Sequence, residues 1–185
     1  MLSIRSSSVA EYLMPSQIRL AALADVPQLK RIRSSVRENV LNPMRVSDRD
    51  YEWFVQNGLT WVWEEGVEIL GFAAGDLRDG SVWALFVHPV WEGRGIGRAL
   101  LERVCASLCA AGHGTATLDT EPYTRAARFY GHQGWTEEGL DATGQLRFRL
   151  ALPRREAVEP QPGITASHRS PPAYDDNREG GSWPK

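Results

Sequence analysis

Apolar and polar residues alternate at the period of a strand in some stretches of this chain and of a helix in others. From Ile18, the run IRLAAL alternates as a short strand, and Val26-Pro27 opens a helix whose apolar positions are Leu29, Ile32 and Val36, with Asp25 placed to cap it. Arg45 to Trp53 carries a weaker helical signal, with Ser47 and Asp48 as caps. Three strand-like runs follow closely: TWVWEE, VEILGFAAGDL and SVWALFV. Glu65-Gly66 and Asp79-Gly80 separate them, and an Asp-Gly pair suits a tight hairpin because both residues tolerate positive φ. The middle of the chain reads as an antiparallel meander.

After Pro89 the period changes. Ile96, Leu100, Leu101, Val104, Cys105 and Leu108 recur at steps of three and four, giving one apolar stripe on a helix that Gly112 terminates. TATLDT reads as the next strand and TRAARFY as a second helix, closed by Gly131 or Gly134. In GQLRFRL, Leu146, Phe148 and Leu150 alternate with Arg147 and Arg149, the pattern of a half-buried strand. The serine-rich residues 1–16 read as a flexible extension. The proline-rich residues 153–185 hold too few apolar side chains to offset their ordering entropy and read as a disordered tail. Residues 17–152 are left as one domain, which suits a chain of 185 residues.

Composition narrows the classes of function. With 21 Lys and Arg against 23 Asp and Glu, a formal net charge of −2, the chain has no cationic excess to neutralise a nucleic-acid backbone. No apolar run approaches the ~20 residues of a membrane span, and the start lacks the apolar stretch of a secretory signal, so a cytoplasmic protein without membrane partners is expected. The two cysteines, Cys105 and Cys109, are spaced as helix neighbours and read as reduced thiols. His88, His113, His132 and His168 form no ligand spacing, so no metal is expected. Of the seven tryptophans, Trp61, Trp63 and Trp83 fall on strands and read as core or sheet-face residues.

The chemistry starts at the turn EGRGIGR, Glu92 to Arg98, between a strand and a helix. Glycines at 93, 95 and 97 remove the Cβ atoms that would hold a ligand away, and amides at the start of a helix favour an anion. Arg94 and Arg98 add charge-assisted donors. A dinucleotide fingerprint is the rival reading, with Asp119 as its acidic residue. Five residues, His88 to Glu92, separate Val87 from Gly93, however, and Arg98 stands where that fingerprint needs its third glycine.

The order Phe86-Val87-His88-Pro89, then Glu92-Gly93-Arg94-Gly95-Ile96-Gly97, then a helix, resembles the signature of the GNAT acetyltransferases. The likeness extends to the opening strand and helix, to the meander, and to Ala126, Tyr130, Gly134 and Trp135 of ARFYGHQGW. It implies an α/β fold: a mixed, mostly antiparallel sheet, splayed at the centre and flanked by helices. It also implies an acyltransferase moving acetyl directly from acetyl-CoA, its co-substrate, to a primary amine on a small molecule or a peptide N-terminus. In that scheme the backbone of Leu85, Phe86 and Val87 pairs with the pantetheine arm. Gly93, Arg94, Gly95, Ile96, Gly97 and Arg98 hold the pyrophosphate, and Tyr130 protonates the departing thiolate. Glu121 is the first choice of base, with Asp119, Glu38 or a water chain as alternatives. Glu92 departs from the family's Gln or Arg, and Tyr123 stands where many relatives carry Asn. A non-catalytic acyl-CoA-binding module is the alternative function. Acceptor choice is expected from the loop Arg37 to Arg45 and from the segment after Trp135, and exposed strand edges near the C-terminus allow a homodimer.

Overall fold

The computed structural model describes residues 16–36, 46–57 and 59–153. The chain divides into two units, Met1–Arg155 and Glu156–Lys185. The expected N-terminal extension, the loop around Arg37 to Arg45 with Glu38, and the proline-rich tail lie outside the described residues, apart from Ser16 and Pro153.

The strands are β1 (Gln17–Leu20), β2 (Leu59–Glu65), β3 (Glu68–Asp76), β4 (Ser81–Val87), β5 (Thr115–Thr120), β6 (Thr136–Leu140) and β7 (Leu146–Ala151). The helices are α1 (Val26–Ser35), α2 (Asp48–Asn57), α3 (Ile96–Ala110) and α4 (Arg125–His132). One seven-stranded sheet runs β1-β2-β3-β4-β5-β7-β6, antiparallel at every junction except β4 with β5. This is the mixed, mostly antiparallel sheet expected, and its topology excludes the doubly wound parallel sheet of the dinucleotide alternative.

Each face of the sheet carries its own core. On one side α3 and α4 set Ile96, Leu100, Val104, Leu108 and Tyr130 against Leu70, Ala73, Leu118 and Phe148. On the other, Leu29 and Ile32 of α1 and Tyr51 and Phe54 of α2 cover Phe72, Ala74, Ala84 and Phe86. A buried aliphatic or aromatic side chain of this kind contributes about 1.5–3 kcal/mol relative to exposure. The helix α3 lies unusually close to β3. A Cβ at Gly75 would stand 2.9 Å from Val104 Cγ1, and one at Gly71 would stand 3.0 Å from the Phe86 carbonyl oxygen and 3.1 Å from Ile96 Cγ2. That close seat fixes the first turn of α3 beside the end of β4.

Local expectations need three corrections. Asp25 does not cap α1: its backbone is already helical, φ −80° and ψ −21°, at the end of a 3-10 turn over Leu23–Asp25. Its carboxylate points back instead, accepting from the Ala22 N–H at 2.8 Å and from both terminal nitrogens of Arg19 at 2.6 and 3.0 Å. The Arg19 hydrogen bond outweighs burial and holds the Asp25 carboxyl below its ordinary range. Second, the Asp79-Gly80 turn is not a two-residue hairpin. Leu77 to Gly80 forms a four-residue connection in which Gly80, at φ 77°, has the left-handed backbone, and its N–H donates to Asp76 O at 2.9 Å. Third, β6 was not expected. Its sequence TEEGL has no apolar alternation because it is an exposed edge strand, held by backbone pairing to β7 and bulged between Glu137 and Gly139.

Candidate active site

The two edges of β4 differ. Toward β3 it pairs from Ser81 to Val87, and the His88 N–H continues the ladder to Leu70 O at 2.8 Å. Toward β5 the register holds a single pair, Ser81 with Thr117, and then the strands part. Antiparallel pairing alternates, so His88, Phe86 and Ala84 turn their backbone groups to β3, while Leu85 and Val87 turn theirs to the gap. Of the three strand residues expected to meet the pantetheine arm, Leu85 and Val87 present donors and acceptors there. Phe86 is engaged with Phe72, and its ring is buried on the α1–α2 side.

Beyond Val87, Pro89–Trp91 makes a 3-10 turn and the glycine loop follows. Gly93 and Gly95 have φ of 76° and 83°, the left-handed region that favours glycine. Gly95 precedes α3 and no side chain caps that helix. The helical ladder starts with the Ala99 N–H donating to Gly95 O at 3.0 Å, so the N–H groups of Ile96, Gly97 and Arg98 have no carbonyl within the helix. A Cβ at Gly93 or Gly95 would meet nothing within 4 Å, so the space over the loop is open. At Gly97 the nearest atoms to an added Cβ are Val87 Cγ2 at 3.5 Å and Phe129 Cζ at 3.8 Å, ordinary contacts, so internal packing does not demand glycine there.

The loop's charged residues are arranged in an order the sequence did not reveal. Glu92 is turned away from the loop amides and pairs with Arg125, in the first turn of α4, at 2.7 Å. The Glu92 N–H points to Pro89 O at 3.4 Å, so that amide is turned inward. Arg94 stacks its guanidinium 4.4 Å from the Trp91 ring centroid, and Arg98 pairs with Glu102 one turn along α3 at 2.8 Å.

Tyr130 lies in α4 with its ring among Phe129, Trp135 and Phe148, at centroid distances of 5.4, 5.9 and 5.9 Å. Burial, with a smaller contribution from Cys105 on α3, raises its pKa far above the ordinary phenol value, so the hydroxyl keeps its proton. No described residue hydrogen-bonds to that hydroxyl. The carboxylates separate. Glu121 is exposed just past β5, where its backbone oxygen accepts from the Thr124 hydroxyl at 2.8 Å. Asp119 has both oxygens on Arg147, at 2.8 and 3.0 Å, across the β5–β7 ladder. Tyr123 is 94% exposed and has φ 63°, a backbone that Asn adopts far more readily than Tyr. Cys105 and Cys109 are free and partly buried, and burial raises the Cys105 thiol to about 11. Among the described residues no group of His, Cys, Asp and Glu is arranged to hold a metal, and no helix is long and apolar enough to cross a membrane.

A sheet parted at its one parallel junction, with an uncapped glycine-entered helix beside the parting, defines an acetyltransferase-type α/β fold. A family model described as Acetyltransferase (GNAT) domain matches residues 56–137. An uncharacterised N-acetyltransferase of Prochlorococcus marinus, described as ycf52-like, is 36% identical over 73 residues, which make up 38% of this chain and 39% of the relative. Among solved structures, the paia N-acetyltransferase of Thermoplasma acidophilum in complex with coenzyme A superposes with a TM-score of 0.65 at 14% identity, over 75% of this chain and 99% of that one. The putative acetyltransferase yncA of Salmonella typhimurium, solved with acetyl-CoA, gives 0.61 at 22% identity, over 77% and 96%. Residues 56–137 are thus similar to the GNAT acetyltransferase domain, and the fold is that of the solved N-acetyltransferases.

Proposed function

We propose that this chain transfers acetyl directly from acetyl-CoA to a primary amine. The observation that carries the reading is the open start of α3 beside the unpaired edge of β4, two sets of backbone donors in one continuous path. The amides from Arg94 to Arg98 suit a pyrophosphate, and Leu85 and Val87 suit the amide groups of a pantetheine arm added as a strand. The neighbouring enzymes solved with CoA and acetyl-CoA support the same ligand.

In the reaction, the neutral amine nitrogen bonds to the thioester carbonyl carbon as the carbon–sulfur bond breaks. Strand amides beside the gap polarise the carbonyl. The thiolate takes the proton of the Tyr130 phenol, whose burial keeps it protonated and whose hydroxyl has no described partner to compete for it. The proton lost from the amine goes to Glu121, directly or through water. Asp119 is the weaker choice because Arg147 occupies both its oxygens.

The test is thiol release from acetyl-CoA with a panel of amino acids, polyamines, aminoglycosides and peptide N-termini, beside calorimetric titration with CoA and with NAD. CoA binding with acceptor-dependent thiol release is expected. CoA binding with no turnover on any amine would instead assign a non-catalytic acyl-CoA-binding module.

A further inference from the structure

Arg33, in the last turn of α1, is a cation for which the described residues provide no directly bound anion. Its guanidinium carbon lies 4.9 Å from the Phe86 ring centroid and 5.5 Å from that of Trp83, both on β4. Its Nη1 is shielded from solvent and has no hydrogen-bond partner. The Tyr51 hydroxyl is a neighbour, and the Asp50 carboxylate acts on it through space. One oxygen of Asp50 is already held by the Ser47 N–H at 2.6 Å and the Ser47 hydroxyl at 2.9 Å. Other arginines have acid partners: Arg147 on Asp119, Arg149 on Glu138, Arg78 on Asp76 and Arg19 on Asp25. A half-buried cation without an anion destabilises a fold, so a guanidinium that no described residue neutralises favours an anionic ligand.

Its position indicates which partner. Phe86 stands between Leu85 and Val87, the two residues whose backbone groups border the gap, so the guanidinium sits on one face of β4 beside the proposed reaction centre. On that face β5 and β7 contribute Thr117, Asp119, Arg147 and Arg149, because Ala116, Leu118, Leu146 and Phe148 point to the α3 side. The surface leading to the gap is therefore polar, and among these described residues Arg147 and Arg149 have carboxylate partners while Arg33 has none. One monocation without an anion among the described residues matches one carboxylate, whereas a phosphate dianion would leave charge uncompensated.

We propose that Arg33 pairs with a carboxylate on the acceptor, so that the amines this chain acetylates are amino carboxylates such as free amino acids. The inference rests on the acetyltransferase reading. An acceptor entering along this face would place its carboxylate over Phe86 and Trp83 and its amine toward the gap. The aromatic rings beneath the guanidinium fix its plane and exclude water from one side of the pair, which strengthens the contact.

The experiment compares the wild-type protein with Arg33→Met and Arg33→Lys on matched acceptors: glycine against glycinamide, β-alanine against β-alaninamide, glutamate against its diamide, with spermidine added. Turnover with acetyl-CoA and equilibrium binding in the presence of CoA are both read. The wild type should favour each carboxylate over its amide by at least roughly tenfold, Arg33→Met should abolish the preference, and Arg33→Lys should retain part of it. The KM for acetyl-CoA should stay within about twofold, and Arg33→Met should melt no lower than wild type because it removes a half-buried cation that no described residue neutralises. Equal use of carboxylates and amides by the wild type would overturn the proposal, as would an unchanged preference in Arg33→Met. Should Arg33→Met not fold, the wild-type and Arg33→Lys comparison decides. Acetyl transfer without carboxylate preference sinks the Arg33 site and leaves the enzyme reading standing. Arg33-dependent carboxylate binding without transfer to any amine does the reverse.

Discussion

The helices α3 and α4 begin close together and are finished in opposite ways. At α4 the Thr124 side chain accepts from the Ala127 N–H at 3.1 Å and donates to Glu121 O at 2.8 Å, closing the helix start onto the exit of β5. At α3 a left-handed Gly95 takes the capping position, no side chain turns back, and three amides are left without helical partners. A cap left off a helix of 15 residues forgoes about 1 kcal/mol that Ser, Thr or Asp would supply. An open helix start is informative where its neighbour in the same chain is closed: the chain can build a cap, and at α3 it leaves three amides open instead.

Closing the open start should have the largest effect. Gly95→Glu places a carboxylate where the pyrophosphate is proposed to sit and imposes a Cβ on a backbone at φ 83°. CoA affinity measured by calorimetry should fall by roughly a hundredfold or more, about 2.7 kcal/mol. Gly95→Asn, which tolerates that backbone and carries no charge, separates the causes: it should keep most of the affinity. A Glu variant that binds CoA as tightly as wild type would remove the phosphate from this loop.

Next in size is Tyr130→Phe on the closed helix. The Tyr130 hydroxyl has no hydrogen-bond partner among the described residues, so its loss removes no contact and the variant should melt close to the wild-type temperature. Turnover should fall by roughly a hundredfold, with acetyl-CoA affinity nearly unchanged. An unaltered rate would leave Tyr130 as a packing residue among Phe129, Trp135 and Phe148.

The same contrast explains what could be read in advance. Periodicity gave ten of the eleven strands and helices, because Leu100, Val104 and Leu108, or Leu146 and Phe148, are spaced by the geometry of the surface they bury. The strand β6 escaped because an exposed edge has no buried face to leave a pattern. In the site, the glycine loop was legible since φ above zero demands glycine locally. The partners of its charged residues were not: Glu92 meets Arg125 across 33 positions, and Arg33 meets Phe86 across 53. Such meetings depend on how helices are laid on the sheet. The residue at Asp25 shows the limit even at short range, since Arg19 and the Ala22 amide compete for a carboxylate that looked like a cap.

Opening the closed start is the third test. Thr124→Ala removes both hydroxyl contacts at once and should lower unfolding free energy by about 1 kcal/mol in urea titration, while CoA affinity stays unchanged. A loss of CoA affinity as large as that of Gly95→Glu would mean that α4, and not α3, sets the loop.

The smallest effect belongs to the bridge between the two helices. Glu92 and Arg125 are partly exposed, so their pair contributes a few tenths of a kcal/mol and Glu92→Gln should barely move the unfolding curve. Its electrostatic consequence is separable from that. Losing a negative charge at the edge of the loop should raise CoA affinity a few-fold at low ionic strength, and the gain should shrink as salt screens it over about 10 Å at 0.1 M. A fall in affinity would show that the pair serves chiefly to hold Gly93 to Gly97 in shape. In that case the acidic residue at 92 supports the site through Arg125, as a strut between the open helix and the closed one.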